Sequence, residues 1–232
     1  MQTVILACNT IRGELEKAAA TTNCAHRFVW VESGLHTVTD KLRGRLQEEL
    51  DRLDGVRQVI LAFGLCGNAV VGLKSGNHEL IIPKVDDCIT LLLGSKDNRQ
   101  SCIRQGGVYF LTKGWMEGEL NIWKQYQSTV ARFGLERTDR IYKKMLAHYK
   151  FLGLIDTGAY DLAEFLPQAR EISVTLKLEL LILKGTDRYL KRLLQGPWNH
   201  DKFLIIPPST TIELIHLGLD SAVSRASIQG VL

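Results

Sequence analysis

Long apolar runs are missing from this chain. No stretch of its 232 residues approaches the roughly 18 to 20 apolar positions that cross a bilayer. The opening Met1-Gln2-Thr3-Val4 lacks the basic flank of a secretory signal, so a cytoplasmic protein with no membrane partner is expected. Charge of one sign is also lacking: 29 basic and 25 acidic side chains leave a net charge of +4, spread along amphipathic segments without a basic run. Nucleic acid is therefore not implied as a partner. Three chemical signatures are absent as well. The glycines at 64, 67 and 72 do not make the dinucleotide fingerprint, and neither a P-loop nor a His-Glu-x-x-His helix occurs. What is present is ordinary for a folded domain: 45% apolar and 23% charged residues exclude disordered, collagen-like and coiled-coil classes.

The apolar runs are short and regularly placed. Val4–Ala7, Phe28–Val31, Gln58–Phe63, Leu80–Pro83 and Val108–Leu111 each read as a buried strand followed by a polar turn and a helical pattern. Strands that are apolar on both faces and alternate with helices imply a parallel sheet covered on both sides, a Rossmann-like α/β fold. Gly118–Lys150 reads as charged helix, a connecting arm. Leu152–Gly158, Ile172–Thr175 and Phe203–Pro208 supply three further strand-like runs. The spacing predicts two α/β lobes: 1–117 carrying the cysteine loops, and 118–232 as helical connection plus second lobe, whose last segment packs back on the first.

In an open parallel sheet, ligands bind outside the carboxyl ends of the strands. Three of the five cysteines, Cys8, Cys66 and Cys88, fall there, whereas Cys24 precedes a strand and Cys102 lies in a charged connection. So few cysteines in a long chain argue against a disulfide framework. Three converging thiolates would make an incomplete tetrahedral metal site, with His36 the nearest candidate for the fourth position. Sulfur ligands select zinc or an iron–sulfur cluster, and the donor set does not choose between them. Gly64, Gly67 and Asn68 frame Cys66 in a tight turn suited to close backbone approach. Asp86 and Asp87 are candidates for a general base, for acceptors behind a metal ligand, or for a helix cap. Trp115 could line a pocket for a flat ligand, and Asp156 and Thr157 could cap a helix or contact a phosphate or carboxylate. Each lone thiol also has a bland reading as a small buried hydrophobe.

These residues carry a resemblance. Ser33–His36, Gly64–Asn68 with Gly72–Ser75, Ile82–Ser95, Tyr109–Trp115, Leu154–Gly158 and Ile205–Pro208 resemble the domain-of-unknown-function 1638 family. The family occurs mainly in anaerobic bacteria and methanogens, often beside corrinoid-dependent methyltransferases. The resemblance implies a setting of methyl transfer through cobalamin, and places Cys8, Cys66, Cys88 and His36 among signature positions. One segment departs from it: Cys8-Asn9-Thr10 is similar to the first catalytic segment of aspartate and glutamate racemases.

The expectation is a metal- or iron–sulfur-binding protein acting on a small molecule in or beside corrinoid-dependent one-carbon transfer, with a corrinoid protein or methyltransferase as partner. The alternatives are a metal-free cysteine racemase or hydrolase, and a non-catalytic methyltransferase accessory protein. The racemase version lacks a second-lobe cysteine, since every cysteine lies at or before Cys102.

Overall fold

In the computed structural model, which describes residues 2–118 and 121–217, the first apolar run forms β1 (Gln2–Cys8), whose Val4 to Ala7 are wholly buried. A strand hidden on both faces belongs in the middle of a covered sheet. Its neighbours are β2 (Arg27–Val31) on one side and β3 (Val56–Ala62) on the other, both parallel, with Val4 facing Arg27 and Val59. β4 (Glu79–Pro83) continues the parallel pairing from β3, and β8 (Phe203–Ile206) closes the edge antiparallel, with Leu80 facing Ile206. The resulting order is β2-β1-β3-β4-β8.

Helices follow most of the strands, but β3 runs on to β4 through turns, where a helical pattern was expected. A one-turn 3-10 segment (Asn9–Ile11) leads into α1 (Arg12–Thr22), and α2 (Thr39–Arg52), after β2, buries Leu42, Leu46 and Leu50 at helical spacing. Ahead of α2, Leu35–Thr37 forms a separate 3-10 turn, and in its first turn Asp40 pairs with Arg43. α3 (Cys88–Leu93) and α4 (Lys96–Ile103) carry the chain away from the first sheet.

A second parallel sheet follows, in the order β5-β6-β7, from β5 (Gly107–Leu111), β6 (Tyr149–Asp156) and β7 (Glu179–Lys184). Between β5 and β6 run α5 (Lys113–Glu117), α6 (Ile122–Phe133) and α7 (Leu135–Met145); α8 (Leu162–Leu176) precedes β7, and α9 (Arg188–Gln195) follows it. The Rossmann-like α/β class is as expected. Three details differ. β5, read with the first four strands, pairs with β6 instead, because β8 fills the place beside β4. Ile172–Thr175 is not a strand but the end of α8: Ala169, Ile172 and Leu176 are buried at helical spacing while Val174 faces out. The strand expected there is Glu179–Lys184, a half-exposed edge.

The chain then returns to where it began. Tyr189, Leu190, Leu193 and Leu194 of α9 join the core that packs the first sheet, and β8 enters that sheet. No helix among the described residues is long and apolar enough to cross a membrane. The second half also meets the first at α5, where a Cβ on Gly114 would stand 1.8 Å from the Thr10 carbonyl oxygen. Gly114→Ala must therefore push α5 off the loop after β1, at a cost of about 1–3 kcal/mol. Urea denaturation checks this; an unchanged midpoint would contradict the close approach.

Candidate functional site

The strand order reverses between β1 and β3: the chain moves from β1 outward to β2, then crosses back to β3 and β4. At such a reversal the loops part in opposite directions and leave a crevice outside the carboxyl ends. Cys8 is the last residue of β1, Cys66 follows β3, and Cys88 opens α3 after β4. Three adjacent strands thus deliver three sulfurs to the switch-point rim.

Two backbone hydrogen bonds hold the second and third loops side by side. Leu65 N–H donates to the Val85 carbonyl at 2.7 Å, and Cys66 N–H to the Asp86 carbonyl at 2.9 Å. Gly64 permits this approach, since a Cβ there would lie 2.5 Å from Asp87 Cα. The chain then turns through three consecutive left-handed residues, Cys66, Gly67 and Asn68, with φ of 44°, 65° and 67°. Glycine and asparagine tolerate that region. Cys66 does not, and a strained non-glycine residue costs about 1–3 kcal/mol. Its strain is held in place by the bonds on either side.

Cys8 is buried, 7% exposed, and Cys66 and Cys88 are half-buried with desolvated sulfurs. Burial raises the Cys8 thiol above its ordinary value, with Thr10 partly offsetting. Cys66 is pushed up to about 12, first by burial and then by the negative charge of Cys8 and Asp87. Cys88 is raised well above its ordinary value by burial and then by the charge of Cys8, Cys66 and Asp87. The three sulfurs are therefore near enough to oppose one another's ionisation. Among the described residues, however, no three His, Cys, Asp or Glu side chains already stand disposed to hold a metal ion.

The carboxylates divide. Asp87 caps α3, accepting from Thr90 N–H at 3.2 Å and from Arg99 Nη2 at 2.9 Å, so its charge is fixed beside the thiols. Asp86 is exposed and faces Lys96 at 3.4 Å. His36 lies in the 3-10 turn after β2, but its side chain falls outside the described residues. Trp115 of α5 lines a small cavity of about 150 Å³ with Thr10, Gly34 and Asn121. Asp156 and Thr157 end β6 and meet α1: Asp156 accepts from Gly158 N–H, and Thr157 Oγ1 donates to Glu14 Oε1 at 3.0 Å.

Glu14 was not among the residues expected. It is 4% exposed and lines a polar cavity of about 240 Å³ with Asn9, Thr10, Lys113 and Tyr160, between the two sheets. Burial raises its carboxyl above the ordinary value, against hydrogen bonding from its own N–H and Thr157 and the charge of Lys113. A signal existed in the sequence. Glu14 shares the buried face of α1 with Ile11, Leu15 and Ala18, where a carboxylate is out of place.

Comparison with known proteins finds a family model, described as protein of unknown function (DUF1638), that matches residues 30–194. That span contains Cys66 and Cys88; Cys8 precedes it. No curated protein and no solved structure matches the chain.

Two titration results are expected. A raised thiol pKa favours the protonated folded form, so metal-free protein keeps its full stability below 9.0 and loses it as pH climbs through the raised values. Chemical denaturation across that range checks this, and a flat profile would contradict it. For Glu14 the raised carboxyl gives full stability below 4.5, lost as pH rises through the folded value. Glu14→Gln should therefore be more stable than the parent at neutral pH, with the gain vanishing in acid; a loss at neutral pH would show the carboxylate to be favourably ionised.

Proposed function

The chain belongs to the DUF1638 family of proteins of unknown function, and from that premise we propose that it holds zinc or an iron–sulfur cluster on Cys8, Cys66 and Cys88 and acts in or beside corrinoid-dependent methyl transfer. One observation carries this reading. Three desolvated thiols come from three adjacent strand ends at the switch point, close enough to resist one another's ionisation. The methyl-transfer setting is the one implied by the resemblance of the loop motifs.

The donor set fits such a group. Three soft sulfurs, with a position left for His36, water or substrate, suit zinc or a cluster with one open site. No ready cage exists among the described residues, so Cys8, Cys66 and Cys88 would have to draw together and give up their protons to hold such a group. When bound, the group supplies either a Lewis acid that keeps a substrate thiol ionised or electrons for a corrinoid partner.

The chain's own residues have distinct tasks in this reading. Asp87, locked by Thr90 and Arg99, adds negative charge that disfavours thiolates until a cation arrives. Asp86 sits on the exposed rim, where its carboxylate can exchange a proton with a small-molecule substrate. Gly64, Gly67 and Asn68 shape the turn that presents Cys66. Trp115 lines a cavity with Thr10, two residues after Cys8, and Thr157 joins the end of β6 to α1 through Glu14. A metal-free racemase or hydrolase needs a thiolate at neutral pH, and burial drives all three thiols away from it, with like charge adding to it at Cys66 and Cys88.

Protein purified without oxygen should carry about one metal centre per chain, and Cys66→Ser should lose at least about tenfold in metal affinity. Elemental analysis with an absorption spectrum reads both: visible absorbance indicates iron–sulfur, a colourless metal-loaded protein zinc. Folded protein with neither metal would overturn the proposal.

A further inference from the structure

A second cavity, of about 380 Å³, adjoins the thiol loops and has a different chemistry. Its wall includes Leu65 and Val85, the two residues whose backbone bond stitches those loops together. Three lysines, Lys84, Lys96 and Lys202, line it against a single carboxylate, Asp201. They come from separate places in the chain: the end of β4, the first turn of α4 and the turn before β8. Lys84 is half-buried and donates to the His200 carbonyl at 2.7 Å, and no carboxylate pairs with it among the described residues. Among the described residues, the counterion of Lys96 is the exposed Asp86.

Three like charges around one concavity repel, and the fold accepts that cost where an anion is to be bound. The type of cation narrows the anion. The fork of arginine grips either a carboxylate or a phosphate edge-on in one plane, and no arginine lines this cavity, although Arg12 and Arg188 line others; the three ammonium groups here approach from separate elements instead. Compact ammonium groups act as point charges and suit the tetrahedral oxygens of phosphate. The volume exceeds what a bare phosphate fills, and the apolar side runs along Leu65 and Val85 toward the cysteine loops.

We infer that this cavity binds the phosphate group of a small phosphorylated molecule through Lys84, Lys96 and Lys202. That this molecule is the substrate presented to the thiol centre rests on the function proposed above; the anion site itself does not.

Calorimetric titration of metal-free, full-length protein with inorganic phosphate and with glycerol phosphate, at ionic strength balanced by chloride, tests the inference. Saturable binding of both at one site per chain is expected, weakened at least about tenfold in the Lys84→Gln/Lys96→Gln/Lys202→Gln variant. Should the triple variant fold poorly, Lys202→Glu alone, at an exposed position, should weaken binding in the same direction. Binding that does not saturate, that chloride reproduces, or that neither variant changes would overturn it. Cys66→Ser separates the two proposals, since it should lose metal and retain phosphate binding. Metal held without phosphate binding sinks the anion site alone, and phosphate bound by a protein that takes no metal sinks the thiol centre alone.

Discussion

The architecture of the rim depends on one contact between two loops, the paired backbone bonds from Leu65 to Val85 and from Cys66 to Asp86. Neither loop could approach so closely if residue 64 carried a side chain. The bonds hold Cys66 in a left-handed conformation it would not choose, and fix it beside the residue pair that leads into Cys88. β1 supplies the third sulfur from the strand next door. Position at the reversal of strand order does the rest, because there the loops diverge and leave room at the carboxyl ends.

The electrostatics of this rim favour neutral thiols. Desolvation is the largest cause at each cysteine, and the fixed charge of Asp87 reinforces it at Cys66 and Cys88. A nucleophilic cysteine is ordinarily built the other way, beside a cation that lowers its pKa. The guanidinium of Arg99 is already paired with Asp87. An added cation reverses the balance: the same negative groups that resist ionisation then stabilise the cation, and the protons leave as it binds. Metal affinity and thiol ionisation are in this sense one equilibrium.

Much of this was legible in the residues. Val4–Ala7 and Val59–Ala62, apolar on both faces, have no reading other than central strands, and the cysteines directly after such strands had to fall on one rim. What the pattern hid was whatever long-range pairing decides. β5 looks like its predecessors, yet its partner is β6, because the last strand takes the edge beside β4. Ile172–Thr175 is rich in β-branched residues, but burial of Ala169, Ile172 and Leu176 on one side makes it helix. β7 was missed for the converse reason, being a half-exposed edge without clean alternation. Lys84, Lys96 and Lys202 are unremarkable in sequence and meet only because β8 folds back beside β4.

The central claim concerns sulfur around a metal, and X-ray absorption spectroscopy at the edge of whichever metal accompanies the anaerobically isolated protein reads it directly. The account predicts about three sulfur scatterers at roughly 2.3 Å around zinc, or close to four around iron, inorganic sulfide included, for a cluster. A shell made only of oxygen and nitrogen would contradict it.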